Sequence, residues 1–202
     1  MNRQQHIIDK FGVATSAPPP YHIAITGRQI PYLFLEMELK VGVEIGVERG
    51  KNAQGLLSKI PDLTLYCVDA WEYLGGYRES KVQKHAGYYD EAVYRLSPFG
   101  DRAKIIRKFS MDAVKDFEDD SLDFVWIDSN HEFQSVTNDI AEWSRKVRLG
   151  GIVAGHDFFR QDLGYEVVEV EDVVRAWTAA KGIDVWFVTQ DPSWLWVKGG
   201  SQ

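Results

Sequence analysis

From residue 41 onward, apolar runs of strand length alternate with stripes of helical spacing, and this alternation constrains the fold more than any other feature. "VGVEIGV" (41–47) reads as a buried strand, and Ala53, Leu56, Leu57 and Ile60 then form a helical stripe. "LTLYCVDA" (63–70), "AKIIRK" (103–108), "LDFVWIDS" (122–129) and "GGIVAGHDF" (150–158) read as four more strands. Val136, Ile140, Trp143 and Val147 make a second stripe, and Val170, Val173, Val174 and Trp177 a third. Strands that alternate with helices require a parallel sheet covered on both faces. The last two runs, "DVWFVT" (184–189) and "SWLWVK" (193–198), are separated only by a short turn at Asp191-Pro192. That gap is too short for a helical crossover, so these two strands must pair antiparallel. The expected fold is an α/β, Rossmann-like, seven-stranded, mostly parallel sheet with an antiparallel terminal strand pair and helices on both faces. Ligands in such sheets bind beyond the carboxyl ends of the strands, near the point where strand order reverses.

The first 40 residues lack this rhythm. "SAPPP" (16–20) interrupts any helix, and a short helix is expected from Pro31 through Tyr32, Leu33, Phe34 and Leu35 toward Leu39. Residues 1–40 are therefore read as an N-terminal extension and helix beside a domain at 41–202. The net charge of −7 argues against a nucleic-acid groove. Cys67, the one cysteine, has no internal partner, no apolar run spans a membrane, and no signal-peptide core is seen. A cytoplasmic protein without a membrane partner is the expectation. Trp194 and Trp196 share one face of the last strand and suit core packing or the interface of a homo-oligomer.

Polar residues collect at the ends of these strands. The first ends "VEIGVERGKN", in which Gly46 and Gly50 flank a turn into a helix whose N-terminus supplies free N–H donors. The dinucleotide pattern G-x-G-x-x-G and the phosphate-loop pattern are both missing. Glu44, two residues before the first glycine, suits a ligand bearing an ammonium group better than a pyrophosphate. Asp69 ends the second strand, where an acid is placed to accept both hydroxyls of a ribose. The fourth strand runs into Asp128, with His131 three residues on, in "DFVWIDSNHEF" (123–133). That arrangement is either the lip of an active site or a strand end whose Asp caps the next helix.

These segments together resemble the class I S-adenosylmethionine-dependent methyltransferases over about residues 40 to 198. "VEIGVERG" stands as the glycine loop, "LYCVDAWE" carries the ribose acid, and "GGIVAGHDF" and "SWLWVK" are the fifth and closing strands. The likeness is greatest to small O-methyltransferases, including the macrocin and catechol types and the cephalosporin hydroxylase-like relatives. In that family an acid and three glycines alternate after the first strand. Here the series is Glu44, Gly46, Glu48 and Gly50, so the middle glycine is replaced.

The resemblance implies S-adenosylmethionine as cofactor. Gly46 and Gly50 would face its methionine part, Glu44 its amino group, Asn52 its carboxylate and Asp69 its ribose. Ser110, Met111 and Asp112 would lie beside the adenine, and Asp128 beside the cofactor's methyl group. It also implies O-methylation of a small hydroxylated acceptor, with Asp128 and Asp157 binding a magnesium ion that orients the acceptor. The amide ligand of the catechol type is replaced by Phe158, so His131, His156 or Asn130 must substitute. His131 stands where that type has its proton-accepting lysine, which makes Asp128 and His131 the catalytic candidates. The insert at 71–102, with Tyr73, Tyr77, His85, Tyr88 and Tyr89, would cover the acceptor. Rival readings are a metal-free methyltransferase using His131 as base, a nucleotide-binding oxidoreductase, and a catalytically silent binding module.

Overall fold

The computed structural model describes residues 2–72, 87–162, 164 and 167–199. Its centre is a single eight-stranded sheet of β1 (Tyr21–His22), β2 (Val41–Ile45), β3 (Thr64–Asp69), β4 (Ala103–Arg107), β5 (Leu122–Ile127), β6 (Val147–Gly155), β9 (Trp186–Val188) and β10 (Trp194–Val197). The spatial order is β4-β3-β2-β5-β6-β10-β9-β1. All neighbours pair parallel except β10, which runs antiparallel to both β6 and β9. The chain therefore builds outward from β2 in one direction, through β3 and β4. It then returns to the other side of β2 with β5 and β6. The crevice beyond the ends of β2 and β5 is the switch point of the sheet.

Alternation within each strand divides the core into two layers. In β5, Phe124 and Trp126 join one apolar cluster, while Val125 and Ile127 join the other. The first layer is covered by α1 (Arg3–Phe11), α2 (Ile30–Glu36) and α3 (Lys51–Lys59). The second is covered by α6 (Phe133–Lys146) and α7 (Val170–Ala180). Between these groups in sequence lie α4 (Tyr88–Leu96) and the single turn α5 (Ser110–Ala113). Trp194 and Trp196 are fully buried in the second layer, their rings stacked with centroids 5.2 Å apart. These two tryptophans are core residues.

The sheet has eight strands where the sequence pattern predicts seven. The additional one is β1, where Tyr21 and His22 pair with Phe187 and Val188. A two-residue strand cannot show a periodicity. The N-terminal segment also contains α1, capped by Asn2, whose side chain accepts from Gln5 N–H. Ile7 is the sole buried residue of α1, too little to write a stripe in the sequence. Arg3 ties that helix to the body, donating to the carbonyls of Met37 and Gly150 at 2.9 Å each. Ile23, Ile25, Ile30, Leu33 and Phe34 are buried in the first layer, so residues 2–40 share the core of the sheet. A separate hairpin, β7 (Arg160–Asp162) with β8 (Val167–Glu169), also escapes the pattern because all three residues of β7 are exposed. Among the described residues, no helix is long and apolar enough to cross a membrane.

Truncating Trp194 removes a large side chain at the join between the parallel sheet and the terminal pair. Trp194→Ala is expected to destabilise the fold by about 3–5 kcal/mol, read as a lowered urea midpoint at unchanged slope.

Candidate active site

The turn after β2 is shaped by backbone contact. Gly46 has φ +88°, and a Cβ there would lie 2.0 Å from the carbonyl oxygen of Asp128. Asp128 N–H donates to Ile45 O at 2.8 Å, and Gly46 N–H to Val68 O at 2.9 Å. Glycine is required at this position because the end of β5 presses against it. Glu48, which stands where the resembling family has its middle glycine, also adopts the left-handed region, with φ +51°. The conformation is held by Asp69, whose Oδ2 accepts from Val47 N–H at 3.0 Å and Glu48 N–H at 2.9 Å. Its Oδ1 accepts from Trp71 N–H at 2.7 Å, and Trp71 Nε1 donates to Glu48 O at 2.7 Å. Asp69 thus organises the loop, and a carboxylate's remaining lone pairs can still accept from a ligand. Gly50, with φ +73°, forms the N-cap of α3.

Glu44 lies beneath this loop, 1% exposed. Its Oε1 accepts from Asn52 Nδ2 at 3.1 Å, while its buried Oε2 has no hydrogen-bond partner among the described residues. Burial pushes its pKa up to about 8, and the charges of Asp128 and Asp69 push the same way against the Asn52 bond. A buried carboxyl with one idle oxygen is matched to a cationic group.

Asp128 and Asp157 follow the neighbouring strands β5 and β6 and converge. His131 Nε2 is 3.6 Å from Asp128 Oδ1 and 3.1 Å from Asp157 Oδ2. One ligand atom from each of the three residues can be chosen so that all lie within 4.8 Å of one another. His156 Nδ1 is 2.9 Å from Asp157 Oδ1. Burial pushes the Asp157 carboxyl up, but the His156 hydrogen bond and the charges of His156 and His131 hold it below the ordinary range. Asp128 does not cap the next helix. That helix starts at Phe133, whose N–H bonds Glu169 Oε2 at 2.9 Å. Glu169 N–H also holds the carbonyl of His131 at 2.9 Å, so the end of β8 fixes the histidine loop.

The segment after β4 separates the remaining expected residues. Ser110 Oγ bonds Asp139 Oδ1 and accepts from Trp143 Nε1 at 2.8 Å. Asp139 Oδ2 accepts from Ser129 Oγ at 2.6 Å. This buried bridge links the α5 turn to the residue beside Asp128. Asp139 was not foreseen, and its only signal is an acid on the apolar stripe of α6. Met111 packs partly buried on the second layer, while Asp112 is exposed and pairs with Lys115 at 2.8 Å. Asp112 therefore does not line the cleft in this conformation. Of the expected cover residues, Tyr88 is buried under the Arg49 guanidinium, and Tyr89 packs against Trp71 and Arg107. Tyr73, Tyr77 and His85 lie outside the described residues.

A cleft of about 550 Å³ opens over these strand ends, with Trp126, Asp128 and His156 on its floor and Asn52 in one wall. The opposite wall is Gly27, Arg28 and Pro31 from the N-terminal segment, which the sequence did not mark as part of a site. Asp191, in the β9–β10 turn, holds that wall by accepting from Gly27 N–H at 2.5 Å.

Residues 43–158, more than half of the chain, match the family described as "Methyltransferase domain". The chain belongs to this family, and its fold is that of the class I, S-adenosylmethionine-dependent methyltransferases. A candidate caffeoyl-CoA O-methyltransferase from Staphylococcus aureus superposes with a TM-score of 0.63 at 16% identity, over 96% of this chain and 90% of that one. The O-methyltransferase from Bacillus cereus in complex with SAH gives 0.60 at 14% identity, over 98% and 91%. At such identities the likeness is one of fold. The Sinorhizobium fredii (strain NBRC 101917 / NGR234) protein y4gI is 28% identical over 113 residues, which span 52% of this chain but only 11% of that protein.

The raised pKa of Glu44 makes stability depend on pH. The folded state holds this proton more tightly than the unfolded chain does, so the associated stability is complete below the ordinary glutamate range. It is lost as pH rises through about 8. Thermal melts of the ligand-free protein between pH 6 and pH 9 should therefore fall more steeply than those of Glu44→Gln.

Proposed function

We propose that the protein transfers a methyl group from S-adenosylmethionine to an oxygen of a small hydroxylated acceptor, with a divalent cation assisting. The observation that carries this reading is the convergence of Asp128, His131 and Asp157 beside the glycine loop. The complex of the Bacillus cereus relative with SAH and the family assignment support the cofactor.

The cofactor's ammonium would meet Glu44 Oε2, and Asn52 with the N-terminus of α3 would meet its carboxylate. Gly46 and Gly50 let the chain pass close to it, and Asp69 would use its spare lone pairs on the ribose. Ser110, Met111 and Asp112 are proposed beside the adenine; of these, Asp112 would have to exchange its Lys115 partner.

The acids and imidazole offer two hard oxygens and one nitrogen. Phe158, in the place of the family's amide ligand, is buried with its ring against Trp186 and offers nothing. Magnesium fits the carboxylates, and the His131 nitrogen extends the fit to manganese, iron or cobalt. Such an ion would lower the pKa of the acceptor hydroxyl and fix its orientation. The transfer itself is a displacement at the sulfonium methyl, so the chain's task is alignment and proton removal. The 3.1 Å approach of His131 to Asp157 favours a second, metal-free reading, in which Asp157 orients His131 as the base.

Calorimetry and turnover test these roles separately. Asp69→Ala should weaken SAH binding by about 1–3 kcal/mol, whereas Asp128→Asn should reduce turnover far more than SAH affinity. Activity should disappear on exhaustive chelation and return with added magnesium or manganese. Full activity after chelation would transfer the proton to His131 alone, and His131→Ala would then cost roughly 10²–10⁴ in rate.

A further inference from the structure

We infer that the acceptor carries an anionic group, a phosphate or carboxylate, which docks on Arg28, Lys51 and Lys59 while its hydroxyl reaches Asp128. The inference rests on the methyl-transfer reading above and names the substrate class for that same cleft.

The charge of the cleft is polarised. Arg28 projects from the N-terminal wall, and Lys51 and Lys59 come from α3 on the other side. All three are exposed, and none forms an ion pair with a carboxylate among the described residues. Lys59 instead lies 5.3 Å from the Tyr32 ring centroid. In a chain of net charge −7, three cations around one cavity that form no ion pair among the described residues, Lys51 acting only at longer range on Glu91, make a local reversal of sign. Of the two carboxylates that line the cleft, Asp191 is already engaged by Gly27 N–H and by Thr189 Oγ1 at 2.7 Å. Asp128 is left as the acid that shares the cleft with these three cations.

Two further features point to a ligand in the space between. Lys51, Gly55 and Lys59 recur at a spacing of four and share one face of α3. A Cβ at Gly55 would meet nothing within 4 Å, so packing does not require glycine there. Glycine inside a helix costs about 1 kcal/mol relative to alanine, and here it keeps the wall between the two lysines open. On the floor, Trp126 is 3% exposed, and its Nε1–H has no acceptor among the described residues. That N–H is covered in the ligand-free fold, so a ligand oxygen would satisfy it only once the ring turns toward the cleft. The volume of about 550 Å³ is within the range of small-molecule sites.

The test uses the full chain saturated with SAH and compounds that differ only in charge. These are pairs with and without an anionic group, 3,4-dihydroxybenzoate against 3,4-dihydroxybenzamide and glucose 6-phosphate against glucose, each titrated by calorimetry. In at least one pair, the anionic member should bind about tenfold or more tighter than its neutral partner, and salt should reduce the preference. The double substitution Arg28→Gln/Lys59→Gln should erase the preference and leave SAH affinity within about twofold. Gly55→Leu should block the anionic compound without lowering the melting temperature, which separates occlusion from unfolding. Equal affinity within both pairs, absence of binding by both anions, or a preference that survives the double substitution would overturn the inference. A parallel loss of SAH affinity in the double variant would also overturn it, because the basic rim would then hold the cofactor's carboxylate. Failure of the unsubstituted protein to bind SAH would instead remove the methyl-transfer reading itself.

Discussion

The contact between Gly46 and the Asp128 carbonyl is the constraint from which the rest of the site follows. It joins β2 to β5 where strand order reverses, so the ends of both strands open on one crevice. A side chain at Gly46 would need to displace backbone, the least yielding neighbour available. With the two strand ends locked together, Glu44 lies under the turn, Asp69 braces the loop from the adjacent strand, and Asp128 stands at the rim. The parallel register continues to β6, which brings Asp157 beside Asp128.

Four carboxyl groups gathered at one crevice create an electrostatic problem, and each is handled differently. Glu44 is desolvated to the point of holding its proton near neutral pH. Asp69 accepts from three backbone N–H groups, two from the loop after β2 and one from Trp71 beyond its own strand. Asp157 lies against two imidazoles. Among the described residues Asp128 has the 3.6 Å approach of His131, and it remains the most solvent-accessible of the three in that cluster. A crevice arranged in this way favours cations, and a sulfonium cofactor with an ammonium group is a cation at both of those centres. The same arrangement would reject a pyrophosphate, which agrees with the missing dinucleotide pattern.

The long parallel strands were legible because both their faces are largely buried, which writes the apolar runs "VGV" in β2, "FVWI" in β5 and "IVAG" in β6. The antiparallel end was legible from the shortness of the turn at Asp191-Pro192. Features held by single anchors were not legible. Helix α1 buries Ile7 alone and is otherwise held by bonds from Arg3 and by Glu36 pairing with His6 and Lys10, and β1 rests on two residues. The strand-end acids could be found from their positions, but their partners lie far away in sequence. Gly27 meets Asp191 across 164 residues, and Glu169 fixes the loop of His131 and Phe133 from another element. Asp139 illustrates the same limit. It interrupts an apolar stripe, yet only the fold shows Ser110 and Ser129 arriving at its two oxygens.

The proposed function requires that Glu44, which holds its proton near neutral pH in the ligand-free protein, becomes charged against the cofactor's ammonium. Isothermal titration with SAH near pH 7, repeated in buffers of different ionisation enthalpy, measures this directly. The account predicts release of about one proton per SAH bound by the unsubstituted protein, and none by Glu44→Gln. Binding whose enthalpy is independent of buffer in the unsubstituted protein, or no binding at all, would contradict it.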